Sequence, residues 1–468
     1  MSGITVLAHG LFDGIHPGHV QHLRAASRMG TRLVVSVTTD AQAAEIGRRP
    51  EFSEGERLAM LRALECVSEA MLSPTLSAEG SLQAVRPTIY VKGPDYADQA
   101  LDPTGRISEE IAAAKAVGAV FVATTGPTMS STYARWRRRG VIDDDAHSLF
   151  ETIRSRTSMQ EMAEAVGKIE SARVVVFGDP IIDEYVPCKV TGRSTKDPCI
   201  AVREEGDARF DFGGAYMCAE HARQLCPGVL YSAGTADGYS HDVPCYKKRR
   251  YIDEDFQQVL FSVSEPDGGS IFSEKSPEDV RLEEFDAVIV ADYGHGQLCR
   301  QRRARIERDA KWLGTMVQAN SANLGEPRYL RYAHNRHPEF VCQDRREVAL
   351  CMAPDMMVSE NWPAIYANGF REAVVTLGHR GSLHIIEGDT HEMPTLGEKV
   401  VDRTGAGDAY FVTAALFSWA CEGTNPWLSG LAGLVAGGLH CEVHGNSRPI
   451  RRSDLVRRMR AVLMHKGG

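Results

Sequence analysis

The chain has 468 residues, 43% hydrophobic and 25% charged, the make-up of an ordinary soluble globular protein with room for two or three domains. Its formal net charge of −9, with no basic block, argues against general nucleic-acid binding. No apolar run approaches the length of a membrane span, and eleven cysteines without CxxC spacing point to reduced thiols in a cytoplasmic protein.

The N-terminus reads as a strand rather than as a signal peptide. The apolar run Ile4–Ala8 passes through a glycine-bearing loop into an amphipathic helix that begins at His16-Pro17-Gly18-His19. Two imidazoles three residues apart share one face of a first helical turn, where free N–H groups and the positive helix end also point. That combination suits a nucleoside triphosphate, because nucleotidyl transfer needs charge stabilisation more than covalent help. A second strand follows at 32–40 and a helix at 57–64, with Val91-Lys92-Gly93-Pro94-Asp95-Tyr96 and Ser130-Ser131-Thr132 beyond.

The residues Gly10-Leu11-Phe12-Asp13 and His16-Pro17-Gly18-His19 resemble the signature of the cytidylyltransferase-like nucleotidyltransferases, and the resemblance covers roughly residues 1–140. It implies a Rossmann-like α/β domain with His16 and His19 as catalytic donors. It also implies nucleotide contacts from Gly10, Phe12, Asp13, Lys92, Ser130, Ser131 and Thr132, and a substrate-side Arg57.

The stretch 141–171 is polar and reads as a connector, and a new domain opens with the strand Ala172–Phe177 and the turn Gly178-Asp179. Cys188, Cys199, Cys218, Cys226 and Cys245 crowd one stretch and read as core thiols ahead of metal ligands. The arginines of 300–305 read as a solvated helix face. At Asp402-Arg403-Thr404-Gly405-Ala406-Gly407-Asp408, small residues at a helix start let backbone N–H groups approach a phosphate. A carboxylate just inside that helix can take a proton from a substrate hydroxyl.

This string resembles the signature of the ribokinase-like (PfkB) sugar kinases, over roughly residues 172–460, and implies a second, ribokinase-like α/β domain at 172–468. By that resemblance Asp408 is the general base, and Gly405, Ala406 and Gly407 form the anion hole. Asp179, Asp183, Gly213 and Gly214 lie on the sugar side. Thr376, Gly378 and Gly381 lie on the nucleotide side, and Glu347 is tied to magnesium. Two such domains together resemble the bifunctional heptose kinase/nucleotidyltransferases, in reversed order. The expectation is a homodimeric enzyme of activated-sugar synthesis using ATP, Mg2+ and a second nucleoside triphosphate (CTP or ATP), with sugar or sugar phosphate as partner and no nucleic acid or membrane.

Three departures bear on that expectation. Residues 44–50 lack the family's lysine, with Arg48 or Arg49 as the nearest cations. The passage around Tyr239 is short, and Asp344 stands where the kinases carry asparagine. They favour two rivals: a single live domain, for instance a cytidylyltransferase acting on a polyol phosphate, or a nucleotide-binding scaffold without turnover.

Overall fold

The computed structural model describes residues 3–46, 49–93, 96, 106–125, 131–233, 242–253, 255, 258–265, 270–272, 276–318, 337–352, 362–367, 369–386 and 389–465. The chain divides into two compact units, residues 1–140 with 456–468, and residues 141–455.

The first unit is built on five parallel strands, β1 (Thr5–Gly10), β2 (Arg32–Val37), β3 (Glu69–Leu72), β4 (Ile89–Lys92) and β5 (Val120–Ala123). Helices α1 (Pro17–Ser27), α2 (Asp40–Glu45), α3 (Glu54–Arg62), α4 (Glu79–Val85) and α5 (Ile107–Ala116) connect them, and α6 (Ser131–Arg138) follows. Val6, Leu7 and Ala8 are fully buried beside Val34 and Val35, as expected for parallel strands covered on both faces. The sheet order is β3-β2-β1-β4-β5, so it reverses between β1 and β4. A crevice for ligand opens where such a reversal leaves the C-terminal strand ends, here Gly10 and Lys92.

The second unit begins with α7 (Asp144–Arg156) and α8 (Met159–Glu170). The stretch 141–171 is therefore no loose connector. In α8, Met162, Ala165, Val166 and Ile169 repeat at helical spacing and are buried, while Ser158 and Glu161 close a capping box. That stripe outweighs the segment's overall polarity. Strand β6 (Arg173–Gly178) leads to the long β7 (Pro180–Arg193), then β8 (Ile200–Glu204), β9 (Arg209–Gly214), α9 (Ala215–Arg223) and β10 (Gly228–Ser232). Next come β11 (Asp242–Pro244), β12 (Tyr246–Asp253), β13 (Gln258–Glu265) and β14 (Ser270–Phe272). The order continues β15 (Ala287–Asp292), α10 (Arg300–Asp309), β16 (Leu313–Val317), β17 (Phe340–Asp344), α11 (Arg345–Cys351), α12 (Trp362–Ala367), β18 (Glu372–Thr376), β19 (Ser382–Ile386) and β20 (Asp389–Met393). Helices α13 (Ala406–Ala420) and α14 (Pro426–His440) complete it, and α15 (Arg452–Leu463) starts in it but lies mostly in the first unit.

The main sheet runs β10-β6-β15-β16-β17-β18-β19-β20, parallel through β18 and antiparallel beyond. A smaller sheet, β13-β12-β7-β8 with β9 also on β7, stands apart from it. Helix α13 is apolar nearly all round and almost wholly buried, which marks it as a core helix. Its neighbour α14 approaches closely because Gly433 has no side chain; a Cβ there would sit 2.8 Å from the Tyr410 ring.

Two further expectations change. Arg302 donates to Glu278 and to the Gln297 carbonyl, and Arg305 donates to the carbonyls of Pro277 and Val280. The arginine cluster thus clamps a neighbouring segment rather than only facing solvent. Cys188, Cys218, Cys226 and Cys245 are buried thiols, but Cys199 is exposed. No helix among the described residues is long and apolar enough to cross a membrane.

Candidate functional sites

In the first unit, the loop after β1 needs a left-handed turn. Phe12 has φ +53° and Gly14 φ +64°, and the buried Phe12 ring lies where a Cβ on Gly10 would be 3.2 Å away. His16 caps α1 with Pro17 at its first position, and the His16 and His19 rings stack at 3.8 Å. Phe12 meets His19 edge-on at 5.4 Å. The Nδ1 atoms of both histidines are buried without a hydrogen-bond partner, an arrangement that leaves polar atoms waiting for a ligand. Burial, then the neighbouring His16 and His22, pushes His19 down to about 3, and burial lowers His16. Both rings are neutral near pH 7.

Asp13 Oδ1 accepts from the N–H groups of Glu51 (2.9 Å) and Phe52 (3.2 Å) and so pins the chain entering α3. Arg57, expected on the substrate side, is instead fully buried. Its guanidinium donates to the carbonyls of Leu11 (2.7 Å), Thr38 (2.8 Å) and Phe52 (3.0 Å) and to Asp40 (2.6 Å). It braces the loops around the histidines, because burying an arginine demands that its donors be satisfied by protein. Lys92 is also buried, 3.0 Å from Glu110, whose carboxylate also accepts from the Tyr90 hydroxyl (2.7 Å) and the Ala78 N–H (3.2 Å). The Lys92 ammonium lies 4.8 Å from the Tyr96 ring centre. Thr132 is buried in the first turn of α6. Ser130 and the side chain of Ser131 lie outside the described residues, as does Arg48; Arg49 is exposed.

In the second unit, the main sheet reverses between β6 and β15. Gly405 caps α13 in a left-handed conformation, φ +81°, and a Cβ there would collide with Asn446 and His440. Gly407 differs, since a Cβ on it would meet nothing within 4 Å, so space lies open before the helix start. Asp408 is buried and hydrogen-bonded to the Tyr293 hydroxyl, and its pKa is pushed up to about 7, chiefly by burial and further by Asp183. The tyrosine directly follows the end of β15, one of the two strands at the reversal.

Asp179 sits on the same seam but does not face substrate. Its carboxylate accepts from Tyr293 N–H (2.9 Å) and Gln297 N–H (3.0 Å), and no part of it is exposed. It is a staple between β6 and the loop after β15. Gly214, at φ +64°, leaves room for the Asp179 carbonyl, which a Cβ would approach at 2.5 Å. Gly213 packs against Asp183, where a Cβ would lie 2.6 Å from Oδ2. Asp183 itself accepts from Asn446 Nδ2 at 2.9 Å and from Arg250. Cross-strand register places Lys248 opposite Asp183 and Arg250 opposite Tyr185, on the face of the small sheet that carries Asp183.

Asp344 and Thr376 are register partners at the ends of β17 and β18. Gly378 (φ +62°) and Gly381 (φ +88°) make a tight turn just after Thr376, and a Cβ on Gly381 would collide with the Met393 carbonyl. Glu347 and Asp344 cap α11 reciprocally, each accepting the other's N–H at 2.7 Å. The Cys342 thiol is pushed up by burial and by the charges of Glu347, Asp408 and Asp344, so these carboxylates cluster electrostatically around the end of β17. Among the described residues no group of three or more His, Cys, Asp or Glu is placed to hold a metal ion. The passage around Tyr239 lies outside the described residues.

Residues 7–137 match the cytidylyltransferase-like family and residues 293–452 match the pfkB family of carbohydrate kinases. The chain joins a nucleotidyltransferase-like domain to a carbohydrate kinase domain. It is 40% identical over 109 residues to the bifunctional protein HldE of Streptomyces coelicolor, a stretch covering 23% of this chain and 24% of that one. It is 36% identical over 92 residues to the FAD synthase of Thermoplasma volcanium, covering 20% of this chain and 65% of the relative. The chain thus spans about a quarter of the length of the HldE protein it matches. A ribokinase structure from Thermotoga maritima aligns over 61% of this chain and 98% of that chain at 16% identity, TM-score 0.44.

Arg250, Lys248 and Asn446 are site residues that motif reading passed over, and Tyr293, though it stands in a matched stretch after β15, had no role assigned. They lie far in sequence from Asp408 or Asp183, and only the basic run Lys247-Lys248-Arg249-Arg250 hinted at a charged strand.

Proposed function

We propose that the chain is a bifunctional transferase of activated-sugar synthesis, heptose-like in its substrate. The second unit phosphorylates a sugar with ATP. The first transfers a nucleotidyl group from CTP or ATP to a sugar phosphate and releases pyrophosphate. The observation that carries this reading is Asp408. It is a buried carboxylate whose pKa stands at about 7, held by Tyr293 beside an open glycine helix start. A base poised near neutrality can take the proton of the sugar hydroxyl as its oxygen attacks the γ-phosphorus and ADP leaves. The N–H groups of 405–407 face the transferred phosphoryl. In the first unit the sugar-phosphate oxygen attacks the α-phosphorus, pyrophosphate leaves, and His16 and His19 donate to the phosphate oxygens. That step needs no base, because the attacking oxygen is already ionised.

Mg2+ would neutralise phosphate charge, with Glu347 and Asp344 as the carboxylates nearest to it. Thr376, Gly378 and Gly381 would line the nucleotide of the kinase. Lys248 and Arg250 give the sugar side of the kinase positive charge, which favours a sugar already bearing a phosphate.

The reading with one live domain has its own support. Arg250 occupies Asp183, and residues 44–50 carry no lysine. One experiment separates the readings: pyrophosphate release and sugar-dependent ADP release are measured separately on the wild type, His19→Ala and Asp408→Asn. The bifunctional reading expects His19→Ala to lose only the first and Asp408→Asn only the second. Wild-type protein that releases ADP but never pyrophosphate, or the reverse, leaves a single live domain; silence in both assays leaves a scaffold.

A further inference from the structure

At the N-terminal ends of β15, β16 and β18 lies a cleft of about 280 Å³ lined by Lys168, Asp286, Lys311, Trp312, Arg371, Trp419 and Glu422. The candidate kinase residues sit at the opposite, C-terminal edge. Strands of five residues at about 3.3 Å each separate the two edges by roughly 15 Å.

The charges in this cleft are unevenly satisfied. Lys168 donates to the Ala420 carbonyl (3.0 Å) and to Glu422 (2.9 Å), and so caps the negative end of α13. Asp286 accepts the Arg173 N–H at 2.9 Å. Both acids therefore have partners. Lys311 makes no ion pair among the described residues, and Arg371 makes none at contact distance although its charge acts on Glu422 and Glu372; both cations are exposed at the cleft mouth. Trp312 is more than nine-tenths buried, yet its indole Nε1–H has no hydrogen-bond partner. A Cβ on Gly314 would lie 2.9 Å from Trp312 Cζ3 and 3.0 Å from Cη2, so the benzo edge points into the core and the N–H edge away from it. A buried donor without a partner is costly, and two exposed cations, Lys311 and Arg371, lie at the same cleft.

We propose that this cleft is a second anion site, distinct from both transferase sites, that binds a phosphate-class oxyanion through Lys311, Arg371 and the Trp312 N–H. The source is a free phosphate or diphosphate, or the phosphate of a small phosphomonoester. Nothing in the proposal depends on either transferase activity.

Two of the chain's five tryptophans line the cleft, so intrinsic fluorescence of the full chain reports on it. Inorganic phosphate, pyrophosphate and a simple phosphomonoester are titrated separately, with chloride at matched ionic strength as control. A saturable change is expected with at least one of them, and which one identifies the source. The double variant Lys311→Ala/Arg371→Ala should weaken it at least about tenfold, as loss of charge-assisted hydrogen bonds does. Trp312→Phe, which keeps the burial and removes the donor, should weaken it too, read through Trp419. Both variants should keep wild-type rates of pyrophosphate and ADP release. A fluorescence change matched by chloride, no saturable change, or equal binding by wild type and the double variant overturns the proposal.

Discussion

As the proposed base of the kinase, Asp408 would tie catalysis to stability. Its folded pKa, about 7, lies above the ordinary aspartate value of 3.8, chiefly through burial. The sign follows from linkage: the folded state holds the proton more tightly, so this group favours folding below about pH 4, and that contribution fades as pH rises through about 7. Asp408→Asn, which cannot ionise, should therefore gain thermal stability relative to wild type as pH is raised from 4 to 8. Melting curves across that range check it, and a constant gap would show that Asp408 is not the buried titrating group. The same ionisation should make sugar-kinase kcat/KM climb with pH and level off above about 7, because only the carboxylate accepts a proton. The histidines predict the contrary profile. His19 is lowered to about 3, so its ring does not titrate between pH 6 and 8 in the free protein, and burial lowers His16 in the same direction. The kcat/KM for nucleoside triphosphate in pyrophosphate release should be flat over that window. A step near pH 6.5 would place an ordinary, solvated histidine at the reacting phosphate.

At the scale of elements, the loops that carry these side chains are held by groups that touch no ligand. Arg57 ties the loop after β1 to the end of β2 and the entry to α3 through three carbonyls and Asp40. Arg57→Lys keeps the charge but cannot reach several acceptors at once. The buried carbonyls left unpaired should destabilise the first unit by about 2–4 kcal/mol, measured as a lower denaturant midpoint for pyrophosphate-releasing activity. The kinase activity should lose its midpoint shift if the two units unfold separately. Asp179 plays the matching part in the second unit, joining β6 to the loop that carries Tyr293. Both residues stood in motifs that suggested substrate contact. Their sequence neighbourhoods were legible, but whether a polar side chain faces ligand or backbone depends on what packs over it.

At the scale of the whole molecule, the small sheet of the second unit has two unlike faces. Register puts Phe210, Glu184, Arg249 and Val263 in one row, with Ile182, Phe212, Lys247 and Glu265 in the next. Phe210, Phe212, Phe261 and Val263 are exposed there, while Arg249 and Lys247 pair with Glu184 and Glu265. An apolar patch threaded with paired charges suits a second copy of the chain, the homodimer expected from sequence. Phe212→Asp/Phe261→Asp should convert dimer to monomer in sedimentation; a wild type that is already monomeric removes that expectation. The C-terminal segment matters to the first unit. Arg458 lies over the Trp136 ring at 5.9 Å and His465 stacks on Tyr133 at 4.0 Å. Deleting residues 456–468 should lower the melting temperature of the nucleotidyltransferase unit more than that of the kinase, followed by loss of each activity on heating.

Sequence alone determined the two glycine turns running into helix starts, the order of the two α/β units and the placement of His16, His19 and Asp408 at those helix starts. Those features are local, since a glycine turn running into a helix start with fixed spacing declares itself within a few residues. Tertiary structure decided what lies across from them. It turned Arg57 and Asp179 from ligand contacts into braces and set Glu347 as a helix cap. It gave Asp408 its Tyr293 partner and its raised pKa, folded 141–171 into two helices of the kinase unit, and carried the last residues to the first. Each of these depends on burial and on partners tens to hundreds of residues away, and a linear pattern of residue types holds neither.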